Sequence, residues 1–271
     1  MIKKFISSKL SYIIKLLNLG KTLKKVYFVS KTFFTKKKRL LFMKIEADFL
    51  VNDFDELKTI ETFFVSKCKN EGIMLKSLLE TLRPGDTAYD IGANIGIYTI
   101  FLAKKVGNRG KIIAFEPDSR NFDSLIRNIK TNKLNNVYPQ KFALGDNNKK
   151  SNLYIDKRVG IGAISFLQRE GSIVREEVQI IEGDSFIRKM KFAVPYAIKI
   201  DVEGYEYLVM KGLKKTLSDN SCKVLCCEIH STIVPSYITK EAVLNLIRNY
   251  GFEEINTFSR GGEIHAVCYK R

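Results

Sequence analysis

Two apolar periodicities take turns along this chain. Thr87–Ile91, Lys111–Phe115, Val137–Leu144, Tyr196–Ile200 and Lys223–Ile229 are short, mostly apolar runs, the pattern of strands buried on both faces. Between them the spacing turns helical: Ile97, Ile100, Phe101 and Ala103; then Phe122, Leu125, Ile126 and Ile129 within Ser119–Lys133; then Tyr205–Leu217; then Glu241–Asn249, which stops near Gly251. Such alternation predicts an α/β fold, a mostly parallel sheet with helices on both faces. Phe252–Phe258 and Ile264–Tyr269 flank the turn Ser259-Arg260-Gly261-Gly262 and predict a closing hairpin, so one strand runs antiparallel. The alternation lapses in the middle. There, Asn152–Ile155 and Val178–Ile181 read as short strands around a glycine-containing loop, 159–165, and Asp184 opens a short helix. Residues 46–82 have a mixed pattern whose second half reads as a helix stopped by Arg83-Pro84-Gly85. The pattern divides the chain into an arm, residues 1–45, a helical cap segment, residues 46–82, and a main domain, residues 83–271.

Charge changes the picture of the arm. The net charge is +17, yet no acidic residue precedes Glu46, and thirteen lysines and arginines fall before it, so the rest of the chain carries only 17 − 13 = +4. Residues 2–19 fit an amphipathic helix, with Ile2, Phe5, Ile6, Ile13, Leu16 and Leu17 on one face and Lys3, Lys4 and Lys15 on the other. No apolar run there approaches the ~20 residues that span a bilayer, and the lysines interrupt any signal-peptide core. Such an arm suits an anionic membrane surface. Packing against the main domain and binding nucleic acid are the other uses open to it. The expected setting is cytoplasmic, peripheral at the inner face of the membrane. The five cysteines form no C-x-x-C pair and read as buried reduced thiols, and two histidines exclude a histidine-rich metal site.

The candidate chemistry begins at Asp90-Ile91-Gly92-Ala93-Asn94-Ile95-Gly96, a strand, tight turn and helix start. Glycine lets backbone N–H groups approach a ligand closely. Glu116 ends the next strand, where a carboxylate accepts hydrogen bonds from both hydroxyls of a ribose. The spacing G-x-x-x-G is not the G-x-G-x-x-G of a nicotinamide site. Asp90 beside the turn would repel a pyrophosphate and attract a sulfonium or an ammonium. S-adenosylmethionine carries both cations, a ribose and no phosphate, and is the cofactor expected.

Four segments carry a resemblance: the Asp90–Gly96 turn, Phe115-Glu116-Pro117, Ala143-Leu144-Gly145-Asp146, and Lys199-Ile200-Asp201-Val202-Glu203-Gly204. In this order and spacing they resemble the FkbM family of S-adenosylmethionine-dependent methyltransferases, over roughly Leu82 to the C-terminus. The resemblance implies a Rossmann-like, seven-stranded class I methyltransferase fold with a C-terminal antiparallel hairpin, and mostly oxygen methylation. It implies that Asp90, Gly92, Asn94 and Gly96 line the methionine end of the cofactor. Glu116 would hold the ribose, the stretch from Phe142 to Asp146, Ala143 included, would border the adenine, and Asp201 would sit beside the transferring methyl. Residues 1–45 have no counterpart in the family pattern.

Methyl transfer to a hydroxyl also requires a group that takes its proton. Asp201 ends a strand of the parallel sheet, and Glu203 shares its loop. Glu228 and His230 end the next strand and, two apart, point to one side of it. The expected division has Asp201 orienting the acceptor, with Glu203 beside it, and a neutral His230 accepting the proton. The same cluster could hold Mg²⁺, but nothing in the spacing demands it, and no metal is assigned. The reading is an O-methyltransferase acting on a small-molecule, sugar or lipid-linked glycan hydroxyl. A nucleic-acid methyltransferase using the basic arm is the alternative. It lacks the N-P-P-Y or D-P-P-Y sequence of amino-methylating enzymes, and Lys199-Ile200-Asp201-Val202 stands in that place. A non-enzymatic membrane adaptor would have no use for the intact turn, Glu116 and Asp201.

Overall fold

The computed structural model describes residues 37–64, 69–156, 164–168, 172–230, 238–260 and 263–271. A seven-stranded sheet lies at its centre. Its strands are β3 (Thr87–Ile91), β4 (Lys111–Phe115), β5 (Val137–Gln140), β10 (Ala197–Ile200), β11 (Val224–His230), β12 (Glu254–Arg260) and β13 (Glu263–Tyr269), in the spatial order β12-β13-β11-β10-β3-β4-β5. The five central and right-hand strands pair in parallel, and β13 runs antiparallel to both β11 and β12. The strand order reverses beside β3 and β10, where ligands bind in such sheets.

Helices cover both faces because the central strands are apolar on both. One core holds α2 (Lys69–Thr81), α3 (Ile97–Val106) and α4 (Ser119–Thr131), contributing Leu78, Phe101 and Leu125 among others. The opposite core holds α5 (Gly183–Met190), α6 (Glu206–Gly212), α7 (Lys214–Ser218) and α8 (Lys240–Asn249), with Phe186, Met210, Leu217 and Ile247. The helix expected over Tyr205–Leu217 is broken at Leu213, which caps the end of α6 and the start of α7. Gly212 is the close-packing point: a Cβ there would lie 1.7 Å from the Gly145 carbonyl oxygen. Only glycine allows α6 to sit this close to the strand below it.

The middle of the chain departs from the sequence reading. The run expected as one strand, Val137–Leu144, divides: β5 stays in the large sheet, while β6 (Ala143–Gly145) opens a second sheet. That sheet has four strands, with β7 (Lys149–Asp156), β8 (Ile164–Ser165) and β9 (Ser172–Glu182), in the order β6-β9-β7-β8. The strands around the expected loop are therefore longer than their apolar residues suggest. A β-bulge at Leu153/Tyr154 shifts the register between β7 and β9 and breaks the period-two pattern.

The arm and cap boundary at residue 45 falls inside a hairpin. β1 (Lys37–Phe42) pairs antiparallel with β2 (Ile45–Leu50), and the helical cap begins only with α1 (Phe54–Phe64). Met43 and Lys44 turn the chain with φ 49° and 66°, the left-handed pair a two-residue hairpin turn requires. Phe42 packs edge-on against Phe101, and Ala47, Phe49 and Val51 join the first core. The amphipathic stretch 2–19, like all residues before Lys37, lies outside the described residues. Cys68, Gly261 and Gly262 do so as well. Cys222, Cys226, Cys227 and Cys268 are buried free thiols, as expected. Among the described residues no helix is long and apolar enough to cross a membrane.

Asn128 of α4 and Asn132, which caps its C-terminus, lock the hairpin in place. Asn132 exchanges hydrogen bonds with the backbone of Asp48. Asn128 is buried, accepts from Leu50 N at 2.9 Å and donates to Ile95 O at 2.8 Å, thereby tying the hairpin to the Asp90–Gly96 turn. Asn128→Ala strands both backbone groups. At about 1–3 kcal/mol for each orphaned buried group, urea denaturation should show a loss of about 2–6 kcal/mol. A loss under about 0.5 kcal/mol, the range of ordinary surface changes, would mean that this tether is not structural.

Candidate active site

The C-terminal ends of β3, β4 and β10 open onto a cavity that the second sheet and the loop after β10 complete. Gly92, Asn94, Glu116, Ala143, Asp201 and Glu203 line it, together with Phe115, Leu144, Phe166 and Tyr205. Six of the ten residues singled out in the sequence thus meet at one place. Asp90, Gly96, Asp146 and His230 are not on its surface.

Gly92 sits with φ +78°, and a Cβ added to it would lie 1.8 Å from the Asp201 carbonyl oxygen. The turn after β3 and the end of β10 are therefore in backbone contact, which only glycine permits. Asn94 also has a left-handed backbone, φ 51°, and its side chain accepts from Ile95 N at 2.8 Å, a local bond that steadies the turn. Gly96 caps α3 with φ 93°, and its missing Cβ makes room for Leu125. Its role is packing, one step away from the cavity.

Glu116 is 6% exposed at the end of β4. It accepts from Asn94 N at 2.7 Å and Asp118 N at 2.9 Å, which leaves acceptor sites on the same carboxylate. Burial raises its pKa to about 7, against the opposing effect of those two N–H groups. Among the described lining residues there is no lysine or arginine, whereas Glu116, Asp201 and Glu203 are all acids. A pyrophosphate would find no countercharge here. A ribose, a flat base against Phe115 and Leu144, and a cationic sulfonium fit the donor set.

Asp90 is fully buried beneath the turn. Thr99 Oγ1 donates to its Oδ2, and the ammonium of Lys199 stands 3.5 Å from its Oδ1. Lys199 in turn donates to Gly92 O at 2.6 Å, lies 3.6 Å from Asp201 Oδ2 and faces the Tyr98 ring at 5.3 Å. Asp90 is thus countercharge to a buried lysine, where its position before the turn suggested a direct cofactor contact. Parallel register puts Lys199 opposite Asp90, so the pairing is a consequence of the sheet. Asp146 lies past β6, 3.8 Å from Lys211, and takes no part in the cavity wall.

Asp201 and Glu203 face the cavity with side chains 26% and 32% exposed. Glu203 has φ 51°, a left-handed position sparsely used by non-glycine residues. Its backbone carbonyl accepts from Ser165 Oγ at 2.7 Å, which fixes the loop to the second sheet. Burial raises its pKa above the usual carboxylate range, partly offset by the charge of His230.

His230 stands behind this pair, buried, with Nδ1 at 2.8 Å from Glu206 Oε1. Burial alone would lower its pKa. The hydrogen bond and charge of Glu206, with Glu203 and Asp201 behind, outweigh burial and raise it to about 10. Both interactions with Glu206 favour the protonated ring, which argues against the neutral base expected from the sequence. Glu206 is the reason and is not foreshadowed by the motif. It reads as a first-turn helix acid, yet it is 1% exposed and also accepts from Gly204 N at 3.0 Å. Its signal was its place two residues past Gly204, on the helix face that looks back at β11. Glu228 Oε1 lies between two rings, 3.0 Å from His265 Nε2 and 3.7 Å from His230 Nε2.

Residues 90–254 match the family model described as "Methyltransferase FkbM domain". The chain is 26% identical over 194 residues to the hexuronic acid methyltransferase AglP of Haloferax volcanii, covering 72% of this chain and 74% of that protein. Among solved structures it is similar to the precorrin-6y C5,15-methyltransferase of Geobacter metallireducens, at 13% identity and TM-score 0.47, over 76% of this chain and 90% of that one. It is also similar to Aeropyrum pernix fibrillarin with bound S-adenosyl-L-methionine, at 14% identity and TM-score 0.45, over 86% and 82%. The family match spans the turn, Glu116, the end of β10 and β11, and so takes in every residue of the cavity wall: the chain belongs to the FkbM family of methyltransferases, with S-adenosylmethionine as its cofactor.

Proposed function

We propose that this protein transfers a methyl group to an oxygen of a sugar, in a glycan that carries uronic acid. The observation that carries the reading is the shared wall: the cofactor cavity ends at two carboxylates, Asp201 and Glu203, with a charged His230 behind them. The similarity to a hexuronic acid methyltransferase supports the choice of a sugar. S-adenosylmethionine, when bound, supplies an electrophilic methyl on a sulfonium. Everything else falls to the chain: Glu116 holds the ribose hydroxyls, and Phe115 and Leu144 flank the base. Asp201 accepts a hydrogen bond from the acceptor hydroxyl and receives its proton. Orientation of this kind accounts for about 7–11 kcal/mol of barrier in favourable cases, and a positioned base adds about 10²–10⁴-fold.

Labelled S-adenosylmethionine with a panel of neutral and uronic-acid-bearing oligosaccharides should yield a product one methylene heavier from the latter. Asp201→Asn should slow it about 10²–10⁴-fold with cofactor affinity nearly unchanged. Label entering only RNA or DNA would overturn the reading.

Glu116 predicts a pH dependence of cofactor binding. Two ribose hydroxyls donate to a carboxylate, so the protonated form must lose its proton on binding. With its pKa raised to about 7 in the free protein, affinity should rise with pH up to about 7 and then level off. Calorimetry on Glu116→Gln should show a flat profile below that range and affinity weakened by about 1.5–3 kcal/mol at pH 8. A parental profile in the variant would remove Glu116 from the site.

A further inference from the structure

We propose that Asp201, Glu203 and His230 form a binding site for a divalent metal ion on the acceptor side of the cofactor cavity. One carboxylate oxygen from each acid and one imidazole nitrogen lie within 4.8 Å of one another. Ligands of an octahedral ion with bonds of about 2.1 Å stand about 3 Å apart when adjacent and about 4.2 Å apart when opposite. Small side-chain adjustments therefore close the cluster on an ion.

An ion takes the place of the Nε2 proton of His230, and the resulting imidazole is already oriented as a ligand. Its Nδ1 is committed to the buried Glu206 at 2.8 Å, the arrangement that fixes which ring nitrogen of a ligating histidine faces its metal. Glu206 is itself held by backbone N–H groups of the loop and does not belong to the ligand set. His230 is 2% exposed, and the carboxylate oxygens facing its Nε2, from Glu203 and Glu228, both stand 3.7 Å away. That is too long for a hydrogen bond and leaves a gap bounded by nitrogen and oxygen donors.

The charges call for a cation. Asp201, Glu203, Glu206, Glu228 and Glu263 converge here around the rings of His230 and His265, and the nearby Lys199 is shared with Asp90. Buried charges are stable when paired or bound to metal. A second group, Glu228, His230 and Glu263, also converges. Glu228, however, is taken up by His265 and does not line the cavity. Asp201 and Glu203 do line it and are partly open, so an ion there keeps positions free for acceptor oxygens. Two carboxylates and one imidazole suit a first-row ion such as Mn²⁺ better than Mg²⁺. The inference rests on the reading that the acceptor enters past Asp201 and Glu203. Binding an acceptor hydroxyl to the ion would ease loss of its proton and would offset the repulsion between the acidic wall and a uronic acid.

The test is titration of the full chain, stripped with EDTA and desalted, with MnCl₂ in the absence of cofactor and acceptor. Free Mn²⁺ is read by electron paramagnetic resonance. One ion should bind per chain. Affinity should fall at least tenfold in Asp201→Asn and in Glu203→Gln, about 10–100-fold in Glu206→Gln, and stay parental in Glu263→Gln. Absence of Mn²⁺ uptake by the parent overturns the site, as does a parental isotherm in Asp201→Asn. Loss in Glu263→Gln with Glu203→Gln unaffected moves the ion to the other group and overturns the assignment. Calorimetric binding of S-adenosylmethionine to the same metal-free samples shows that each variant is folded and separates the two readings. Cofactor binding without Mn²⁺ uptake removes the metal site and leaves the methyltransferase reading standing, while Mn²⁺ uptake without cofactor binding does the reverse.

Discussion

One buried ammonium group holds the two halves of the site together. Lys199 is 2% exposed on the strand next to β3, and water cannot stabilise its charge there. Its partners include the Gly92 carbonyl, Asp90 from the adjacent strand, Asp201 two residues onward, and the ring of Tyr98. They belong to different pieces of the site: Asp90 and the Gly92 carbonyl to the end of β3 and its turn, Asp201 to the cavity wall, and Tyr98 to the first turn of the helix that follows. The lysine thus adds a shared charged contact to parts already joined by the pairing of β3 with β10 and by the bond from Asp201 N to Ile91 O.

With that anchor in place, the distribution of charge decides what the cavity accepts. The described wall presents carboxylates at both ends and no basic side chain, so it suits a cationic cofactor and not a dinucleotide. The deeper charges then sort the acids by task. Glu206 is spent on His230 and on the loop backbone, and Glu228 faces His265. Asp201 and Glu203 remain open to the cavity. The left-handed backbone at Glu203, steadied by Ser165 from the second sheet, is the strained feature that keeps the second carboxylate aimed there. The central sheet therefore supplies the floor of the cavity, and the smaller sheet adds wall through Ala143, Leu144, Leu153 and Ile164.

Much of this was legible in the residues, for identifiable reasons. Buried parallel strands are continuous apolar runs, so β3, β4, β10 and β11 stood out, and the glycines and acids at their ends marked the cavity. The hairpin of β1 and β2 did not stand out. Lys37-Lys38-Arg39 reads as a basic arm, and its turn uses Met43-Lys44 where Asn-Gly would have announced it. The second sheet was seen only in fragments because a bulge disrupts its alternation. At the site, position along the chain showed which residues end strands but not what lies beneath them. Asp90 was placed beside the cofactor when it faces Lys199, and His230 was taken as neutral when Glu206 holds its proton. Both differences come from buried charge pairs, which depend on register and on side-chain direction across strands. Spacing along one chain does not report them.

The most direct measurement of this account is S-adenosylmethionine binding by Lys199→Met, followed alongside its urea stability. Removing one partner of a buried ion pair typically costs about 3–5 kcal/mol, and here the loss would release Asp90, Asp201 and the Gly92 carbonyl together. The account predicts a less stable protein whose cofactor affinity is at least tenfold weaker. Parental affinity in a protein of parental stability would contradict it.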